Sequence, residues 1–275
     1  SYFLQQKAGL NTAIVTVAPD GQVVSGESVT VTLTQIQWTS VRRAEGNGFY
    51  TWDTERKEVP AGSWTVTTGA EAVPLSAPLP NGGYFILEAT ARDANKRYTV
   101  TRTSFYALGD GYTAWARFDH NRIEIVPERR TYKPGDTARI MIQSPWEQAT
   151  ALVTTEREGV RSHRQFALTS TQQSISIPIT EEDIPNVFVS VLLVKGRSQA
   201  EAKPVEPTAT RPGERSDDEG PNVVEDPSDP GKPSFRLGYV ELNVEDASKR
   251  LTVGVRADKE EYRPANAAKV LLDVK

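Results

Sequence analysis

Apolar and polar residues alternate with a period of two along most of the chain. Val29, Val31 and Leu33 alternate with Thr30, Thr32 and Thr34; Trp64 and Val66 alternate with Thr65 and Thr67. The same pattern recurs at Ala138, Ile140 and Ile142, at Ile175, Ile177 and Ile179, and at Val240, Leu242 and Val244. Val253 and Val255, then Val270, Leu272 and Val274, repeat it near the end. Period two places one face of a strand on a core and the other in water, as antiparallel sheets require. Val187–Val194 is apolar on both faces and reads as a central strand. Turn signals, among them Asp20-Gly21, Asn81-Gly82-Gly83 and Pro134-Gly135, separate these runs. No segment reads as an amphipathic helix of more than two turns; Thr180–Ile184 allows one short turn. The predicted fold class is all-β, a tandem array of antiparallel β-sandwiches of the immunoglobulin or fibronectin type.

An internal repeat sets the module boundaries. Tyr132-Lys133-Pro134-Gly135-Asp136-Thr137-Ala138-Arg139-Ile140 matches Tyr262-Arg263-Pro264-Ala265-Asn266-Ala267-Ala268-Lys269-Val270 at an offset of 130. Gly135 supplies the positive φ of a type II turn, whereas Ala265 predicts a type I turn in the second copy. Residues 1–9 then read as the end of a preceding segment, 10–112 as a first sandwich and 116–247 as a second. Residues 250–275 read as the first strands of a third, truncated module, so the chain reads as a piece of a longer protein. Joints are expected at Gly109–Ala114 and Glu245–Lys249.

Charge singles out one stretch. Residues 198–233 hold seven prolines, nine acidic and four basic residues and no aromatic, for a net charge of −5. Such a composition cannot offset the entropy of ordering its backbone, and it reads as a disordered acidic insertion in the second module. Trypsin-like cleavage is expected at Arg197 and Arg215, because Lys203, Arg211 and Lys232 each precede a proline. The chain as a whole carries a net charge of only −4, which excludes a strongly basic nucleic-acid binder. No apolar run approaches the roughly 18–20 residues of a membrane-spanning helix.

Candidate chemistry is sparse. The 275 residues contain no cysteine, which removes disulfides, thiolate metal sites and cysteine nucleophiles. Two histidines, His120 and His163, stand far apart in sequence, and no nucleophile motif accompanies either. The carboxylates around Asp217-Asp218-Glu219 and at Asp226 and Asp229 lack the spacing of a calcium loop. The expectation is therefore no catalytic residue, no metal and no cofactor. The aromatic stretch from Trp38 through Trp52 to Trp64 reads as core or inter-module packing, with a partner or sugar surface as the alternative.

Several strings stand together in order: Tyr132-Lys133-Pro134-Gly135-Asp136, Gln143-Ser144-Pro145-Trp146, Ala151–Val160, Ile184–Val191, Gly238–Val244 and Asp258–Pro264. In this order and spacing they resemble the macroglobulin-like domains of bacterial alpha-2-macroglobulins, most strongly over residues 115–275. The resemblance implies structural modules of a non-enzymatic, periplasmic or cell-surface endopeptidase inhibitor, lipid-anchored in some forms. Such a protein traps proteases after they cut a bait region. Its implied partners are target proteases and neighbouring macroglobulin-like domains, with no nucleic acid and no membrane contact by this stretch. The resemblance places the bait region after the module that begins at 250. Many members carry a Cys-x-Glu-Gln thioester, which this chain lacks. Either the thioester lies further on, or the chain belongs to a thioester-free branch. The rival reading is an adhesive or receptor-type sandwich array that binds protein or glycan.

Overall fold

The computed structural model describes residues 2–44, 50–93, 96–197, 231–246 and 252–274. In the first half, β1 (Phe3–Gln5), β2 (Leu10–Ile14), β3 (Thr16–Val17), β4 (Val23–Val24) and β5 (Ser28–Ala44) precede β6 (Tyr50–Thr67), β7 (Val73–Ala77), β8 (Gly83–Arg92) and β9 (Tyr98–Leu108). Five of these form one sheet in the order β1-β9-β8-β5-β6, accompanied by the pairs β2-β7 and β3-β4. The alternating residues face inward as predicted: Val29, Val31 and Leu33 are buried together with Phe85, Leu87 and Phe105. Residues 1–9 differ from expectation. Phe3, Leu4 and Gln5 pair in parallel with Tyr106, Ala107 and Leu108, so β1 is an edge strand of this sandwich and not the tail of another unit.

The second half builds β10 (Ile125–Pro127), β11 (Thr131–Tyr132), β12 (Thr137–Ile142), β13 (Ala149–Glu156), β14 (Val160–Leu168), β15 (Ser174–Pro178), β16 (Asn186–Lys195) and β17 (Ser234–Val244). A three-stranded sheet, β10-β12-β15, faces a five-stranded sheet, β11-β17-β16-β13-β14. Ala138, Ile140 and Ile142 from one sheet meet Val187, Val189, Val191 and Leu193 from the other, all essentially free of solvent. β16 lies between β13 and β17, as its two apolar faces predict. The short turn at Glu181–Asp183 is a 3-10 helix, and Thr180 N and Oγ1 both donate to Asp183 Oδ2.

β18 (Val253–Ala257) and β19 (Val270–Val274) form a hairpin that reproduces the start of the second sandwich. Ile125↔Ile142, Val126↔Met141 and Pro127↔Ile140 in β10 and β12 correspond to Val255↔Leu272, Arg256↔Leu271 and Ala257↔Val270, every residue shifted by the offset of the repeat. The tyrosines match as well. Arg129 N donates to the Tyr132 hydroxyl at 3.1 Å, and Lys259 N donates to the Tyr262 hydroxyl at 3.1 Å. One expectation fails here. Ala265 has φ +69°, close to the +90° of Gly135, so both copies use a left-handed residue at this position. Val255, Val270 and Leu272 alternate as predicted yet remain exposed, since no second sheet covers them among the described residues.

Gly238 leaves room for Ile123 and Ile125 to pack directly on the β17 backbone. A Cβ there would lie 2.8 Å from Ile125 Cγ2 and 3.0 Å from Ile123 Cγ1. Gly238→Val is expected to lower stability by about 1–3 kcal/mol through overpacking. Urea denaturation checks this, and an unchanged midpoint would contradict the packing described.

Candidate functional site

Two features lie at one end of the second sandwich: the root of the acidic insertion and a cleft between the two sandwiches. The insertion joins β16 to β17, which are neighbours in an antiparallel ladder running from Asn186↔Asn243 to Lys195↔Ser234. The chain therefore leaves and re-enters the sheet at one point. Arg197 is exposed two residues beyond Lys195. Arg215 and residues 198–230 lie outside the described residues, as do residues 247–249 of the second expected joint.

The cleft is built by the length of β5 and β6. β5 pairs with β8 only as far as Ile36↔Tyr84, but it continues with β6 to Ala44↔Tyr50. The overhang lies against the inter-sandwich segment. Arg117 N donates to Ser40 Oγ at 3.1 Å, Thr54 Oγ1 to the Arg117 carbonyl at 2.8 Å, and Trp52 N to Asp119 Oδ1 at 3.0 Å. Trp38 and Trp52 form one wall of a cavity of about 520 Å³, and Gln143, Pro145, Trp146 and Arg236 of the second sandwich form the other. Two guanidinium groups lie on indole rings: Arg117 is 4.9 Å from the Trp52 centroid and Arg236 is 5.3 Å from that of Trp146. Burial first, and then the charge of Arg117, lower the pKa of Arg236.

Beneath the cleft the sandwiches share a small core. Phe3 and Leu108 of the first meet Val126 and Met141 of the second around Trp115. Trp38, Tyr84, Tyr106 and Trp115 extend it as an aromatic chain with centroid spacings of 4.9–6.3 Å. The loop after β14 clasps the joint. Trp115 Nε1 donates to the Thr171 carbonyl at 2.6 Å, Thr113 N to Thr171 Oγ1 at 2.8 Å, and Gly109 N to Gln172 Oε1 at 3.2 Å. The Gly109–Ala114 joint is thus bonded to the loop of the second sandwich.

The structure separates the two histidines. His120 lines the cleft, stacks on Phe118 at 5.1 Å and accepts from Arg122 N through Nδ1. His163 lies on β14, opposite Thr154, in a different depression. Trp64, unlike Trp38 and Trp52, packs on the first sandwich's own core. The cleft was not readable in advance, because its walls come from residues as distant as Trp38 and Arg236. The one available signal was the clustering of tryptophans on both sides of the joint.

Against this geometry, two family models match the chain. The alpha-2-macroglobulin bait region domain matches residues 123–275, and bacterial macroglobulin domain 6 matches residues 3–111. An alpha-2-macroglobulin homolog from Nostoc sp. is 25% identical over 183 residues, which is 66% of this chain and 10% of that protein. Escherichia coli alpha-2-macroglobulin in its native conformation is 18% identical, with a TM-score of 0.36; the match covers 100% of this chain and 15% of that one. Salmonella alpha-2-macroglobulin reacted with methylamine is 18% identical, with a TM-score of 0.34, over 99% of this chain and 15% of that one. This array of macroglobulin-like β-sandwiches belongs to the alpha-2-macroglobulin family, of whose members it spans a small internal part. The match of the bait region domain begins at residue 123, so it takes in the acidic insertion as well as the module that begins at 250.

Tyr106 reports on the shared core. Its hydroxyl donates to Glu124 Oε2 at 3.4 Å, and its pKa is pushed up to about 12 by burial first and then by the Glu124 carboxylate. Because the folded value lies above the unfolded one of about 10, Tyr106 contributes stability that is complete below pH 10. That contribution is lost as pH rises towards 12. Stability should therefore fall more steeply over that window in the wild type than in Tyr106→Phe. Denaturant titrations at graded pH compare the two, and parallel profiles would contradict the burial of this hydroxyl.

Proposed function

We propose that this chain is the bait-bearing part of a bacterial protease inhibitor, and that the acidic insertion is the segment its target proteases cut. The observation that carries the reading is the position of the insertion. It bridges adjacent strands whose ladder holds Lys195 opposite Ser234, inside the stretch matched by the bait region domain. A cut within the insertion leaves ten register pairs of β16 and β17 intact, so the sandwich survives and two new chain ends are released from one end of that ladder. The role of the chain is mechanical and non-enzymatic. The sandwiches hold the cut segment at a fixed place, and the response to cutting is carried by neighbouring macroglobulin-like domains. On this reading the whole protein works in the periplasm or at the cell surface, where foreign proteases arrive, with a lipid anchor in some forms. Its partners are those proteases.

Geometry ranks the two predicted cut sites. Proteases bind an extended stretch on both sides of the scissile bond, and Arg197 has Val194 and Lys195 held in the ladder just before it. Arg215 stands about 20 residues along the chain from either Lys195 or Ser234 and is followed by Ser216 rather than proline. Limited trypsin should therefore nick at Arg215 first, and the two fragments should stay associated through the β16–β17 ladder, co-eluting in native size-exclusion chromatography. Arg215→Gln should slow the first nick at least about tenfold, a loss of about 1.4 kcal/mol in transition-state terms. Mass spectrometry of the early fragments reads both. Initial cutting at Arg197, or within a sandwich, would count against the reading.

A further inference from the structure

The cleft holds more positive charge than the protein itself balances. Neither Arg117 nor Arg236 takes part in an ion pair among the described residues. Arg236 makes all its side-chain hydrogen bonds through Nη1, to Asn121 Oδ1 at 2.8 Å, Phe235 O at 2.9 Å and Ser234 Oγ at 3.3 Å. Arg117 makes its one side-chain hydrogen bond through Nη2, to the Pro145 carbonyl at 3.1 Å. Arg236 keeps Nε and Nη2, the donor pair that a carboxylate accepts side-on, and Arg117 keeps Nε and Nη1. The two guanidiniums are close enough for the charge of Arg117 to disfavour that of Arg236. Glu124, the acid that lines the same cavity, is turned to the Tyr106 hydroxyl. Around the two guanidiniums stand the faces and edges of Trp38, Trp52 and Trp146, surfaces on which prolyl rings pack well.

We propose that this cleft binds an acidic, proline-containing peptide segment, its carboxylates held by Arg117 and Arg236 and its prolyl rings against Trp52 and Trp146. The chain itself supplies such a sequence. Residues 198–233 combine nine acidic residues with seven prolines, and they rejoin the fold at Ser234, two residues before Arg236. Charge complementarity and this adjacency make the chain's own acidic segment the favoured source. The proposal does not depend on the segment being cut, and its test contains no protease.

The probe is the blocked hexapeptide Glu-Asp-Pro-Ser-Asp-Pro, the sequence of residues 225–230. It is titrated into the full chain and followed by tryptophan fluorescence. A second full-length chain carries Asn and Gln in place of the nine acids of residues 198–233. With the segment as the natural occupant, the neutralised chain should take up the probe at least about tenfold more tightly than the wild type, with affinity falling as salt rises. In that background Arg117→Gln and Arg236→Gln should each weaken binding about tenfold. The Arg→Lys forms, which keep charge but lose the fork, should fall between, and unchanged melting curves show that every variant folds. Equal affinity of the wild-type and neutralised chains for the probe would overturn the assignment of the chain's own segment. Absence of binding to the neutralised chain, or binding indifferent to both arginines, would overturn the site itself.

Discussion

The pairing of β16 with β17 is the constraint on which the rest of this molecule depends. Central strands of a sandwich are normally joined by tight turns or short loops. Here the connection runs from Gly196 to Pro233, yet Lys195 still sits opposite Ser234. Closing a loop roughly ten times longer than a tight turn costs only about 2 kcal/mol more, since the penalty grows with the logarithm of length. Burial of Val187, Val189, Val191 and Leu193 on one strand and Leu242 and Val244 on the other exceeds that several-fold, at about 1.5–3 kcal/mol each. The sandwich therefore tolerates a long foreign insertion without surrendering register, and a break inside that insertion removes a closure constraint rather than a packing contact.

The second constraint lies between the sandwiches. β12 contributes to two cores: Ala138, Ile140 and Ile142 point to the sandwich core, while Met141 points to the core it shares with Phe3, Leu108, Val126 and Trp115. A strand that serves two cores couples them, because a shift that relieves one side strains the other in a close-packed interior. Thr171 strengthens the coupling. Its carbonyl accepts from Trp115 Nε1 and from Ser144 N, and its hydroxyl accepts from Thr113 N, so one buried residue ties the joint to the loop and the loop to the sheet. Relative movement of the two units would have to expose the indole and break these bonds together. The described joint thus behaves as a rigid bracket for the root of the insertion.

Much of the fold was legible because period-two alternation is a direct image of burial. Val29, Val31 and Leu33, and Ile175, Ile177 and Ile179, are inward-facing as their pattern requires. The acidic stretch was legible from composition alone. What escaped was anything created by elements meeting. Met141 occupies a position of β12 that alternation assigns to water, and its one distinguishing sign is being apolar on that face. The attachment of β1 to β9 was hidden because three residues are too short a run for periodicity to register. The cleft was hidden because Arg117, Trp146 and Arg236 come from two loops and a strand far apart in the chain, and nothing in their spacing announces that two guanidiniums face the same cavity.

The repeat shows how much of a turn is decided by its surroundings. Ala265 was expected to avoid positive φ, since a Cβ there costs about 1–2 kcal/mol. It adopts φ +69° all the same. The reason lies in the flanking contacts that both copies preserve. Asn266 N donates to the Arg263 carbonyl at 3.1 Å, as Asp136 N does to Lys133 at 3.0 Å, and each tyrosine hydroxyl accepts from the backbone three residues before it. Tyr262 further donates to Asp258, which also accepts from Lys269 N. These bonds converge on the one turn and hold Ala265 in its unfavourable backbone angle. Local propensity chose the commoner turn; the tyrosine anchor, repeated in both modules, selected the other.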